Sequence, residues 1–297
     1  MLSVSQDFLP SQAFSIARSA EQRVPFVFNS PHSGCAYPKR FLEMSRLDSH
    51  SIRRSEDCYV DELFSCVVAL GAPLLCAHFP RAYLDVNREP WELDPRMFSD
   101  GVPPYANIRS PRVAGGLGTV PRLVGEGAEI YAHRLPFAEA SERIELLYQP
   151  YHAELKQLLV ETRQKFGFCV LIDCHSMPAG IQLGESGMRP DFIIGDRFGS
   201  SASKALSRAA IQLLDDRGFT VAHNRPYAGG YITEHYGRPS RGIHAIQIEI
   251  NRGLYMDEQS LQKTSGFDLL ARELAGFTAD LMALPDYCFT DMPLAAE

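Results

Sequence analysis

Two histidines stand where an open α/β sheet presents side chains to a ligand. His32 lies in Ser30-Pro31-His32-Ser33-Gly34, directly after one apolar run, and His175 lies in Asp173-Cys174-His175-Ser176, directly after another. Ligand sites of such sheets form beyond the carboxyl ends of the strands. Neutral imidazole is the commonest protein ligand for zinc. A single histidine of this kind is more often a hydrogen-bonded loop residue; two in equivalent positions point to a metal. A catalytic zinc centre takes a third protein ligand and keeps one position open. Glu56-Asp57 offers that ligand at the start of an amphipathic segment. A carboxylate there also suits a helix dipole, and spacing does not separate Glu56 from Asp57.

Glu249 sits in Ala245-Ile246-Gln247-Ile248-Glu249-Ile250-Asn251. Strand alternation puts Gln247, Glu249 and Asn251 on one face and the isoleucines on the other. A carboxylate inside so apolar a strand is costly to bury without a partner, and an ion pair with a neighbouring Arg is the plainer role. Burial raises its pKa toward the range of a general base. Asp85-Val86-Asn87-Arg88 follows Pro80-Arg81 at the end of a further run. Arg81 and Arg88 are shaped to hold a carboxylate or to polarise a carbonyl, with surface salt bridges as the plainer role. Gly229-Gly230-Tyr231-Ile232-Thr233 is a Gly-bearing loop in which backbone amides can approach a ligand closely.

Positioning these groups requires strands, and seven short apolar runs qualify: 24–29, 73–79, 82–87, 168–173, 191–195, 219–223 and 244–251. Several are near-continuously apolar, as expected of strands covered on both faces. Helical spacing marks 57–70, with Ser55 as its cap, then 129–165 with a break near Pro150, 200–216 and 257–282. The alternation predicts an α/β fold with a mixed, mostly parallel central sheet flanked by helices. It reads as one hydrolytic domain over 1–297, with an irregular Pro- and Gly-punctuated insertion at about 89–127. A long irregular insertion is more often functional than idle.

Charge and composition narrow the partners. With a net charge of -7 and no basic run, nucleic acid is not expected. No stretch approaches the ~20 apolar residues that span a bilayer. No secretion signal is readable at the start, so a cytoplasmic setting is expected. Seven cysteines with no CxxC pair argue against a disulfide framework or a structural zinc knuckle. No HExxH, GxSxG, GxxxxGK[ST] or GxGxxG motif occurs. The expected partner is a small acidic molecule; a homo-oligomer stays open.

The segments Asn29–Gly34, Ser55–Leu63, Asp85–Arg88, Asp173–Ser176, Gly229–Thr233 and Ile246–Asn251, in this order and spacing, resemble the N-formylglutamate amidohydrolase family over nearly the whole chain. The resemblance implies a phosphorylase/hydrolase-like fold, similar to zinc carboxypeptidases and aspartoacylases. It implies a zinc site on His32, Asp57 (or Glu56) and His175, and a catalytic Glu249. Asp85, Asn87 and Arg88 are similar to the substrate-binding segment of aspartoacylases. With Arg81, Gly230 and Thr233 they form the expected substrate-binding set. Carboxypeptidases take their carboxylate ligand three residues after the first histidine, where this chain has Cys35. The activity implied is zinc-dependent hydrolysis of N-formyl-L-glutamate to formate and L-glutamate, in histidine degradation. The alternatives are a deacylase or peptidase of the same fold acting on another N-acyl amino acid, and a non-catalytic protein that binds an acidic metabolite.

Overall fold

The most apolar runs of the chain form the middle of a seven-stranded sheet in the computed structural model, which describes residues 13–125, 127–184 and 187–289. The strands are β1 (Phe14–Ala17), β2 (Phe26–Ser30), β3 (Leu74–Ala77), β4 (Leu123–Val124), β5 (Ala128–Glu129), β6 (Cys169–Met177), β7 (Phe192–Gly195), β8 (Val221–His223), β9 (Ile243–Asn251), β10 (Met256–Asp257) and β11 (Gln262–Lys263). The main sheet runs β1-β3-β2-β6-β9-β7-β8, while β4-β5 and β10-β11 form separate ribbons. β2, β6 and β9 are parallel neighbours, and β7 joins β9 antiparallel. The sheet is therefore mixed and mostly parallel, as expected. All nine residues of β6 are buried, as are eight of nine in β9, so the polar residues that alternate with isoleucine along β9 are covered as well.

The chain divides into two compact units. One comprises Pro31–Cys58 and Cys76–Leu155 together with the chain up to Ser15; the other comprises Ile16–Ser30, Tyr59–Leu75 and the chain from Lys156 onward. The second unit carries most of the sheet. Its helices include Lys204–Asp215, capped by the Ser203 hydroxyl accepting from the Leu206 N–H, and Phe267–Met282. The first unit contains the insertion expected at 89–127. Regular structure there is limited to a 3-10 turn at Pro95–Met97, a helical turn at Pro111–Ala114 and strand β4. Among the described residues no helix is long and apolar enough to cross a membrane.

Four local expectations need correction. The run 82–87 is not a strand: the N–H groups of Tyr83 and Leu84 bond back to the Pro80 carbonyl, and that of Asp85 bonds to Thr119. The helix expected over 57–70 is two short helices, Val60–Leu63 and Val67–Leu70. Tyr59 sits at φ 64, which ends any helix reaching it, and Ser55 closes a preceding 3-10 turn without capping anything. Pro150 does not break its helix. Phe137–Arg143 passes through a wide π turn at Ile144–Tyr148 into Gln149–Phe166, and the wider turn accommodates the missing N–H and the proline ring. The helix expected from 257 begins at Phe267, because β10 and β11 pair first.

Candidate metal and catalytic site

Strand β2 ends at Ser30, and its register pairs Asn29 with Asp173 on β6. His32 leaves the sheet two residues past that end, and His175 lies two residues past Asp173 on β6. Both expected histidines thus emerge at the carboxyl edge of parallel strands. His32, Asp57 and His175 are all buried, and each offers one ligand atom within 4.8 Å of the others. His32 Nδ1 lies 3.5 Å from Asp57 Oδ2. That is close to the ~3.3 Å edge of a tetrahedron with metal–ligand arms of ~2.0–2.1 Å. The donor set, two imidazoles and one carboxylate, suits zinc.

Glu56 points elsewhere. Its carboxylate takes a bidentate bond from Arg53 and bonds from the Tyr37 hydroxyl and Cys58 Sγ. Burial, then Glu56, push the Tyr37 hydroxyl well above its usual range. The adjacent carboxylates therefore divide: Glu56 anchors its own loop, and Asp57 faces His32.

Each histidine is oriented by a carboxylate on its other nitrogen. His32 Nε2 is 2.8 Å from Asp85 Oδ1, and His175 Nε2 is 2.9 Å from Asp173 Oδ2. A carboxylate accepts only, so Nε2 carries the proton and Nδ1 keeps the lone pair. Asp173 is itself held by the Asn29 side-chain amide at 2.8 Å. Carboxylate–histidine pairs of this kind fix ligand tautomer and ring orientation. The sequence signal for Asp173 was present in Asp173-x-His175, since residues two apart on a strand share a face. Asp85 had no such signal, because its segment is not a strand.

Asp85 also gathers the expected arginines. Arg81 reaches Asp85 Oδ2 at 2.9 Å, Arg88 reaches it at 3.3 Å, and the Asn87 N–H donates to Oδ1 at 2.8 Å. Burial alone would push the Asp85 carboxyl up, yet Arg88, His32 and Arg81 hold it well below the usual carboxylate range. Burial pulls Arg88 down to about 10 against the attraction of Asp85, with Arg81 and Arg112 adding repulsion. Arg88 spends further donors on the carbonyls of Leu117 and Asn87. Arg81 and Arg88 thus both lie on one carboxylate at this site.

On the second unit, β6 and β9 pair His175 directly with Glu249, which puts both side chains on one face of the sheet. Glu249 Oε1 accepts from Gln247 Nε2 at 2.8 Å, and Gln247 Oε1 accepts from the Gly230 N–H at 2.8 Å. Gly230 thus reaches the site through Gln247. The loop passes this close because Gly195, paired with Gln247, has no Cβ; one there would stand 2.7 Å from the Ala228 carbonyl carbon. Thr233 is fully buried, and its hydroxyl meets no hydrogen-bond partner among the described residues.

A mixed, mostly parallel α/β sheet with a His–Asp–His group at the carboxyl edge of its central strands is the architecture of a hydrolytic enzyme of the class expected above. The family model for N-formylglutamate amidohydrolase matches residues 24–256, and the chain belongs to that family. Two curated relatives are N-formylglutamate deformylases. That of Pseudomonas aeruginosa is 28% identical over 80% of this chain and 84% of its own length, and that of Pseudomonas putida is 29% identical over 80% and 83%. A crystal structure of N-formylglutamate amidohydrolase from Ralstonia eutropha superposes with a TM-score of 0.86 at 33% identity, covering 93% of this chain and 98% of that one. An Agrobacterium tumefaciens protein of 20% identity shares the fold, with a TM-score of 0.62.

Proposed function

We propose that the chain hydrolyses the N-formyl amide of N-formyl-L-glutamate, giving formate and L-glutamate in histidine degradation, with zinc held by His32, Asp57 and His175. The observation that carries this reading is the grouping of those three side chains with Glu249 directly opposite His175 on the neighbouring strand. When bound, the metal supplies Lewis acidity, polarising the scissile carbonyl and acidifying water. Glu249 takes the proton of the attacking water and returns it to the leaving amine. Gln247 donates to one oxygen of Glu249 and so orients the carboxylate that works as the base. Asp85 and Asp173 keep the imidazoles in one tautomer.

The guanidinium groups of Arg81 and Arg88, both on Asp85, favour a substrate carrying carboxylates. Arg88 acts mainly through its charge, with donors already given to Leu117, Asn87 and Asp85, while Asn87 and Thr233 supply polar contacts. All seven cysteines are free thiols, which suits a reducing, cytoplasmic setting.

The test is formate or acetate release from formyl and acetyl derivatives of Glu, Asp, Gln and Met. N-formyl-L-glutamate should give the highest kcat/KM. Equal turnover of neutral and acidic substrates would refute the acidic-substrate assignment. Preference for acetyl would move the chain to an N-acetyl deacylase. Pockets separate substrates differing by one methyl by only ~1–3 kcal/mol, so the acyl comparison needs full kinetic constants.

A further inference from the structure

We infer a second ligand site on the first unit: a basic cavity that takes a small dianion, either inorganic phosphate or a short dicarboxylate. The cavity has a volume of about 180 Å³, and Arg46, Arg96, Arg122, Arg134, His133 and Glu129 stand in its wall. That is room enough for such an anion with some of its water. None of these residues belongs to the metal and catalytic site.

Backbone hydrogen bonds fix the segments that carry the arginines. The Arg46 N–H donates to the Ile130 carbonyl at 2.8 Å, and the Ala132 N–H donates to Met44 at 3.0 Å. The Ile130 N–H donates to Arg122 at 2.9 Å, and the Leu135 N–H donates to Met97 at 2.7 Å. Four stretches of chain distant in sequence are thereby tied into one wall that carries the four arginines.

The local charge does not balance. Buried Asp94 takes a bidentate bond from Arg96 and accepts from Arg122 Nε at 2.9 Å. Glu129 accepts from Arg46 at 2.8 Å and from Arg122 Nη1 at 3.2 Å. Two carboxylates thus serve three guanidinium groups, and Arg134 adds a fourth to the wall. Among the described residues nothing bonds Arg134, Arg96 Nη1 or Arg122 Nη2. A network built for stability alone needs no fourth arginine facing the same cavity. In a chain of net charge -7, this concentration of positive charge is the kind that collects small anions. Guanidinium forks match carboxylate and phosphate alike, so the two ligand sources share one chemistry.

Titration calorimetry of the full-length protein with inorganic phosphate, and separately with succinate, tests the site. Chloride at matched ionic strength is the control. At least one of the two should bind at one site per chain, and the one that binds names the ligand class. Arg134→Met, at an exposed position, should weaken binding about tenfold or more, the usual worth of a hydrogen bond to a charged group. Arg46→Met should do the same, with thermal melting showing that each variant is folded. His32→Ala, which removes a proposed metal ligand, should leave the affinity within about twofold. Absence of binding by both anions, affinity unchanged in both arginine variants, or loss of binding in His32→Ala would each overturn the proposal. The site does not depend on the deformylase reading, because its test reads binding and not turnover.

Discussion

Replacing Asp85 by asparagine removes the one negative charge shared by His32, Arg81 and Arg88. The shape survives: asparagine still accepts from the Asn87 N–H, now 2.8 Å from Oδ1. The charge does not. Arg88 lies 3.3 Å from Asp85 with its side chain only 11% exposed. At an effective dielectric of ~20, opposite charges at that distance attract by roughly 5 kcal/mol. Breaking a buried pair by neutralising one partner costs ~3–5 kcal/mol. Here Arg88 keeps the carbonyls of Leu117 and Asn87, and Arg81 is 23% exposed. The expected loss is therefore about 2–4 kcal/mol, read from urea denaturation of metal-free protein. The second consequence falls on His32. The amide Oδ1 still accepts from Nε2, but without the negative charge the imidazole is a weaker ligand, and metal affinity should drop ~10–100-fold, measured by competition with a chelating dye. A variant with unchanged stability and unchanged metal affinity would refute the reasoning that Asp85 orients His32 and neutralises the arginines.

Three further outcomes are expected. Glu249→Gln should lower kcat by about 10²–10⁴-fold, the usual worth of a general base, while bound metal measured by atomic emission stays at the wild-type level. Gly195→Ala drives a Cβ to 2.7 Å from the Ala228 carbonyl carbon; stability should fall by ~1–3 kcal/mol, and kcat should fall with it as the Gly230–Gln247–Glu249 chain shifts, checked by denaturation and steady-state kinetics. Burial would raise the Asp94 carboxyl, but bonds from Arg96 and Arg122 hold it below its usual value. A depressed folded pKa stabilises the protein above the unfolded value of ~3.9 and loses that stabilisation as pH falls through the folded value. Asp94→Asn should flatten the fall in stability below about pH 4, seen in denaturation midpoints across pH.

The parts of this fold that were legible in the sequence are those where burial and periodicity agree. β6 opens on the apolar run Cys169–Ile172 and β9 alternates isoleucine with polar residues over Ile246–Asn251, and each histidine lies just past an apolar run, His32 past Phe26–Phe28 and His175 past Cys169–Ile172. The segment 82–87 looks equally apolar and is equally buried, but its backbone finds partners in Pro80 and Thr119, which no local pattern announces. The helix expected over 57–70 starts only at Val60 because Tyr59 takes a left-handed conformation, and it is interrupted between Leu63 and Val67, where β-branched Val60, Val67 and Val68 add little helical preference. In the site, Glu56 and Asp57 are chemically alike and adjacent, and only tertiary partners separate them: Arg53 and Tyr37 for one, His32 for the other. Arg81 and Arg88 were legible as arginines at a site, but their gathering on Asp85 depends on turns that bring residues three and four apart onto one carboxylate.

Metal content measured alongside formate release tests the central claim most directly. Protein stripped by chelation and reloaded with zinc should regain hydrolysis of N-formyl-L-glutamate in proportion to bound metal, reaching a plateau at one ion per chain. His32→Ala and His175→Ala should lose both the ion and the activity. Full activity in rigorously metal-free protein, or an ion that remains bound when both histidines are replaced, would contradict the account.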